Sequence, residues 1–122
     1  MFEVTVSDNF SSAHQLRNYN GKCEQLHGHN WVVKVTVSGN ELNDQGMLID
    51  FKILKSYLKS VIDELDHKFI NELKPFDTKN PTVENIARFI FDEIEIKLTS
   101  NDVHVLKVKV WENENNLAAY YR

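Results

Sequence analysis

The chain has 122 residues, a length for one domain rather than two. Its 42% hydrophobic and 26% charged residues suit an ordinary core, no apolar run is long enough to cross a bilayer, and the net charge of −4 disfavours bulk nucleic-acid binding. One cysteine, Cys23, excludes an intrachain disulfide, and the opening Met-Phe-Glu-Val-Thr-Val lacks the basic start and apolar stretch of a secretory signal, so a cytoplasmic protein is expected.

The first element reads as strand: Val4 and Val6 alternate with Thr5 and Ser7, and the β-rich character continues through Phe10 towards His14. A loop follows at 17–22, where Asn20-Gly21 signals a turn. The second strand places Trp31, Val33, Val35 and Val37 on one face, with Val32, Lys34, Thr36 and Ser38 on the other, and Gly39-Asn40 ends it. The period then becomes helical. Asp50 is a candidate N-cap, and Phe51, Leu54, Leu58, Val61, Ile62 and Leu65 follow on one face. Lys74-Pro75-Phe76-Asp77 reads as loop. A second helix begins near Thr82, after Pro81, with Ile86, Ile90, Ile94 and Leu98 on its apolar face, widened by Ala87 and Phe89. Period two returns with Leu106, Val108 and Val110 on one face and Val103, Val105 and Trp111 opposite; a short strand from Leu117 to Tyr121 closes the chain. The order ββααββ predicts an α+β layer structure, a four-stranded antiparallel sheet with two helices on one face, over a single domain 1–122. Such a sheet has two open edges, which association between subunits would cover.

Cys23-Glu24-Gln25-Leu26-His27-Gly28-His29-Asn30-Trp31 carries the richest chemistry. His27 and His29 stand two apart at the mouth of a strand, so their imidazoles point to one side. His14 ends the preceding strand. Three neutral imidazoles suit Zn²⁺ and leave a coordination position open, although His-x-His also arises by chance. Cys23, in a polar loop near such a cation, would have a stabilised thiolate; a buried, inert cysteine is the alternative. Asp66-His67 closes the first helix, where His67 could shuttle a proton or simply complement the helix end. Glu112 continues the Leu106, Val108, Val110 alternation, which aims a carboxylate at an apolar side where paired N–H donors of a ligand would satisfy it; fraying into the polar turn at 112–116 would leave it in solvent instead. Arg17, Lys22 and Lys68 are candidates to meet phosphates, with a solvated surface role as the default.

Phe10-Ser11-Ser12-Ala13-His14, Cys23-x-x-x-His27-Gly28-His29-Asn30, Gly46-Met47-Leu48-Ile49-Asp50-Phe51, Leu65-Asp66-His67, Pro81-Thr82-Val83-Glu84-Asn85 and Val110-Trp111-Glu112 follow one another in order. With these fragments the chain resembles the 6-pyruvoyltetrahydropterin synthase superfamily, and within it the 6-carboxy-5,6,7,8-tetrahydropterin synthase branch. The resemblance implies the T-fold, whose subunits join sheets edge to edge into a barrel, with a homohexamer favoured. It implies zinc on His14, His27 and His29, and Cys23 as the base that takes a proton. Asp66 and His67 are implied as relay partners that meet Cys23 across a subunit interface. Glu112 is implied as the anchor of the pterin ring and a member of the relay, and Thr82 and Glu84 as part of the pterin pocket. The implied reaction is zinc-dependent conversion of 7,8-dihydroneopterin triphosphate to 6-carboxytetrahydropterin, acetaldehyde and triphosphate, on a route to queuosine and other deazapurines. The competing readings are a 6-pyruvoyltetrahydropterin synthase, which eliminates triphosphate without carbon–carbon cleavage, and a noncatalytic zinc- or pterin-binding protein. The three-residue gap between Cys23 and His27 favours the carboxy branch, since the pyruvoyl branch resembles a form with a longer gap.

Overall fold

Alternating valines and two amphipathic segments fold into the elements β1 (Phe2–His14), β2 (His27–Gly39), α1 (Phe51–Leu65), α2 (Val83–Lys97), β3 (His104–Asn113) and β4 (Asn116–Tyr121). They are seen in a computed structural model that describes residues 1–18 and 25–122. The strands form one antiparallel sheet in the order β1-β2-β3-β4. This is the ββααββ arrangement that the periodicities predict, with β1 and β4 at the edges.

The inner face of the sheet carries Val6, Phe10, Trp31, Val33, Val35, Val37, Val108 and Val110, all buried. Both helices cover it, α1 over β1 and α2 over β3 and β4. Asp50 caps α1 by accepting from the Lys52 amide at 2.8 Å, and the helix buries Leu54, Leu58, Val61, Ile62 and Leu65. Phe51, read from spacing as part of that face, is exposed: it occupies the first helical position, beyond the edge of the core. Thr82 caps α2 by accepting from the Asn85 amide at 3.1 Å. The buried stripe of α2 is Ile86, Ala87, Ile90, Phe91 and Ile94, while Leu98 lies past the last turn and is half-buried.

The structure corrects the reading of the third strand. Thr36 pairs with Lys107 but Val37 pairs with Val105, so Leu106 is an extra residue in β3. A bulge of this kind reverses the alternation on one side of it. Val103 and Val105 therefore join Val108 and Val110 in the core, and Leu106 is only half-buried.

Candidate active site

Two sequence features bring the histidines together. β1 and β2 pair with His14 opposite His27, and the period of two puts His29 on the same face as His27. Trp31, next on that face, forms the floor. It is fully buried, stacks on Phe10 at 5.7 Å, meets the rings of His14 and His29 edge-on at 4.9 and 5.2 Å, and donates its indole N–H to the Ser12 carbonyl at 3.1 Å. From the end of β3, Glu112 points a carboxylate into the same corner, 3.3 Å from His29 Nε2 and 3.9 Å from His14 Nε2. One ligand atom from each of His14, His27, His29 and Glu112 lies within 4.8 Å of the others, and the four could hold a metal ion.

The hydrogen bonds around the rings favour that use. His14 Nδ1 meets the Pro81 carbonyl at 2.8 Å, and His27 Nδ1 meets the Gln25 carbonyl at 2.9 Å. A carbonyl oxygen accepts, so in the neutral rings each Nδ1 carries the proton and each Nε2 presents a lone pair. Those two Nε2 atoms stand 3.1 Å apart. Two lone pairs at that distance repel unless a cation lies between them. Nitrogens bound tetrahedrally to Zn²⁺ at about 2.0–2.1 Å sit about 3.3 Å apart, so the spacing fits.

Beside this group, a depression of about 790 Å³ runs onto the outer face of the sheet, with His29, Glu112, Val32, Lys34 and Trp111 among its lining residues. Its size suits a small organic substrate.

Asp66 and His67 lie elsewhere. Asp66 ends α1 and accepts from the Ser11 amide at 2.9 Å, and the His67 amide donates to the Ser11 carbonyl at 2.6 Å. The polar backbone groups of Ser11 thus face away from β2, which places the pair along the outer edge of β1, where residues 66–69 pair with Ser11 and Ala13. His67 holds a left-handed φ of 55°, and its Nδ1 is 3.0 Å from Asp66 Oδ1. A left-handed residue directly after the helix cap is a common way for a helix to end, and histidine tolerates that region better than most side chains. The Ser11 amide, with further help from His67, holds the Asp66 carboxyl below the ordinary carboxylate range.

Thr82 follows the carbonyl that meets His14, but its hydroxyl is engaged as a helix cap; Glu84 is exposed in the first turn of α2. Arg17, a phosphate candidate from sequence, donates its guanidinium to the carbonyls of Lys79, Asn71 and Phe76. It acts as a structural brace. Lys68 is exposed. Cys23 and Lys22 fall outside the described residues. Sequence reasoning missed Pro81 and Gln25 as carbonyl partners of the histidines, because a backbone carbonyl leaves no mark in a pattern of side chains.

Comparison with known proteins agrees with this geometry. A family model described as 6-pyruvoyl tetrahydropterin synthase matches residues 3–122. The 6-carboxy-5,6,7,8-tetrahydropterin synthase of Haemophilus influenzae is 32% identical, over 98% of this chain and 99% of that protein. The 6-pyruvoyl tetrahydrobiopterin synthase of Dictyostelium discoideum is 36% identical, over 96% of this chain and 93% of its own. The solved structure of Caenorhabditis elegans 6-pyruvoyl tetrahydropterin synthase superposes with a TM-score of 0.85 at 26% identity, covering 99% of this chain and 95% of that one. The sheet of four strands, its two helices and these similarities define the T-fold, and the chain belongs to the 6-pyruvoyl tetrahydropterin synthase family.

Proposed function

We propose that this chain is a 6-carboxy-5,6,7,8-tetrahydropterin synthase. It converts 7,8-dihydroneopterin triphosphate to 6-carboxytetrahydropterin, acetaldehyde and triphosphate, and uses zinc held by His14, His27 and His29. The convergence of His14, His27, His29 and Glu112 within 4.8 Å carries the reading. Relatives named for this activity at 32–35% identity support it, as does the short gap between Cys23 and His27.

When bound, the ion supplies Lewis acidity to the hydroxyl-bearing side chain of the substrate and lowers the cost of removing a neighbouring proton. The protein does the rest. The Pro81 and Gln25 carbonyls keep Nδ1 of His14 and His27 protonated, so each ring turns an Nε2 lone pair towards the site. Trp31 closes the floor against water. Glu112, at the mouth of the depression, accepts from the paired N–H donors of the pterin. Cys23 takes the proton as its thiolate, and His67, oriented by an ionised Asp66, returns protons during tautomerisation. Thr82 and Glu84 border the pterin pocket from the start of α2.

Asp66 and His67 lie along the outer edge of the sheet with the His67 side chain exposed, so in this reading they serve a site completed by a neighbouring subunit. Apolar side chains on the outer sheet face, Val32, Leu117 and Tyr121, are exposed and are covered in the same assembly, a barrel-forming homohexamer. One functional unit over 1–122, a cytoplasmic setting and a place in queuosine precursor synthesis belong to the same proposal. No helix is long and apolar enough to cross a membrane.

The test is incubation of purified protein with 7,8-dihydroneopterin triphosphate, trapping of acetaldehyde and weighing of the pterin. Acetaldehyde with a one-carbon carboxyl side chain is expected. Triphosphate release with a retained three-carbon side chain would replace this reading with the pyruvoyl activity, and no turnover would leave a binding protein.

A further inference from the structure

His14 is the most buried ligand candidate, at 1% exposure, and its Nδ1 rests on a carbonyl in the loop before α2. Two asparagines tie that loop and its neighbour to the chain just after His14. Asn71 accepts from the Gln15 amide at 2.9 Å and donates to the Gln15 carbonyl at 2.7 Å. Asn80 does the same for Arg17, accepting from its amide at 2.8 Å and donating to its carbonyl at 3.1 Å. Each side-chain amide thereby imitates a neighbouring strand and extends the pairing of β1 past its end.

The two clamps differ in what lies behind them. Asn71 holds the chain beside the 3-10 turn at Ile70–Glu72, and its side-chain amide bonds the Gln15 backbone. Asn80 directly precedes Pro81, whose carbonyl meets His14 Nδ1. The backbone of Asn80 is fixed as well, because its carbonyl accepts from Asn85 Nδ2 at 2.8 Å and from the Thr82 amide at 2.9 Å. The Pro81 carbonyl shares its peptide plane with the Thr82 amide, so the Thr82 and Asn85 bonds to the Asn80 carbonyl, together with the fixed φ of proline, set where the Pro81 carbonyl points. Partners of this kind, one bond behind a ligand, select its tautomer and its ring orientation.

We propose that Asn80 is a positioning residue for the metal centre. Its side chain binds the Pro81 loop to the segment three residues beyond His14, and this keeps the His14 ring with Nδ1 protonated and Nε2 turned towards the ion. The inference rests on the reading of His14 as a metal ligand given above. Asn85 holds the Asn80 carbonyl from the first turn of α2.

The experiment strips the purified protein of metal and titrates Zn²⁺ against a chromophoric chelator. Asn80→Ala leaves the Pro81 carbonyl in place but loosens it, so the zinc dissociation constant rises about tenfold, the lower end of the loss on removing such a partner, while Asn71→Ala stays within about threefold. Both variants lose a two-bond clamp, so a purely structural role would weaken them alike; equal loss in the two overturns the proposal. Unchanged zinc affinity in a folded Asn80→Ala protein also overturns it. If Asn80→Ala does not fold, Asn85→Ala removes a single bond to the Asn80 carbonyl, and the expected weakening is about fivefold. Wild-type affinity there refutes the inference. Failure of the unmodified protein to bind zinc would refute the metal reading itself, an outcome distinct from tight binding that Asn80→Ala does not change.

Discussion

Trp31 joins the core to the site, and Trp31→Phe tests that joint. The indole is fully buried, with His14 and His29 edge-on against it and its N–H donated to the Ser12 carbonyl at 3.1 Å. Phenylalanine keeps the stack on Phe10 but loses this buried hydrogen bond, worth about 1 kcal/mol. Removing the second ring leaves a void on the order of 40 Å³, about 1 kcal/mol at roughly 24 cal/mol per Å³. The expected destabilisation is therefore about 2 kcal/mol, which at a urea slope of about 1.5–2 kcal/mol per molar lowers the midpoint by about 1 M. Because two ligand candidates lean on the lost surface, zinc affinity falls in parallel, by about three- to tenfold. Urea unfolding followed by far-UV circular dichroism, at one fixed protein concentration, and chelator competition measure the two effects. A midpoint shift under about 0.3 M, with zinc affinity unchanged, would refute the idea that the indole props the site.

Cys23→Ala is expected to fold and keep its metal while turnover falls by at least about a hundredfold, as loss of a general base does; a near-normal rate would return Cys23 to an inert role. Glu112→Gln replaces one acceptor with a donor at nearly constant shape, so equilibrium binding of a pterin weakens about tenfold or more; unchanged affinity would contradict its anchoring role. His104 gives a pH signature remote from the site. Its Nδ1 lies 2.7 Å from Glu95 Oε1 and its Nε2 lies 2.8 Å from the Asn101 carbonyl, so both nitrogens face acceptors and the Glu95 bond, ahead of Asn101, raises its pKa. A raised folded-state pKa means that its stabilising effect is complete below the unfolded value near 6.5 and is lost as pH rises through the folded value. Thermal unfolding of the His104→Gln variant should therefore show a flatter pH dependence from 6 upward than the parent, and superimposable profiles would exclude the contribution.

The fold was legible where periodicity is local and long. Asp50 marks its helix because a short acceptor side chain ahead of an apolar 3.6-residue pattern has few other uses, and it does cap; the second helix starts at Thr82 as its spacing indicated, with Thr82 itself as the cap. The inner face of β2 was equally plain. The third strand misled because Val103, Val105, Leu106, Val108 and Val110 satisfy two alternations at once, and one bulged residue decides between them. Phe51 misled because spacing assigns a face but not where the core ends.

The site was legible in its histidines and in Glu112, which reaches His29 although the pairing of β3 with β4 shifts between Trp111 and Asn113. Its supports were not. Asn71 and Asn80 look like ordinary loop residues, and their partners are main-chain atoms far along the sequence. Arg17 illustrates the same gap, since a surface arginine and a brace across three carbonyls have the same one-letter code. The assignment of Asp66-His67 came from resemblance; the sequence did not show that His67 would turn left-handed to end α1 against the edge of β1.

The zinc site proposed on His14, His27 and His29 is tested by metal analysis of the purified protein beside its His27→Ala variant. Both proteins are equilibrated with a slight excess of Zn²⁺, desalted, and measured by elemental mass spectrometry against protein concentration. His27 contributes an Nε2 that stands 3.1 Å from that of His14, so its removal takes away one of three imidazole ligands and about tenfold or more in affinity. About one zinc per subunit in the parent and strong depletion in the variant are predicted. Full occupancy in the folded His27→Ala protein would rule out His27 as a ligand.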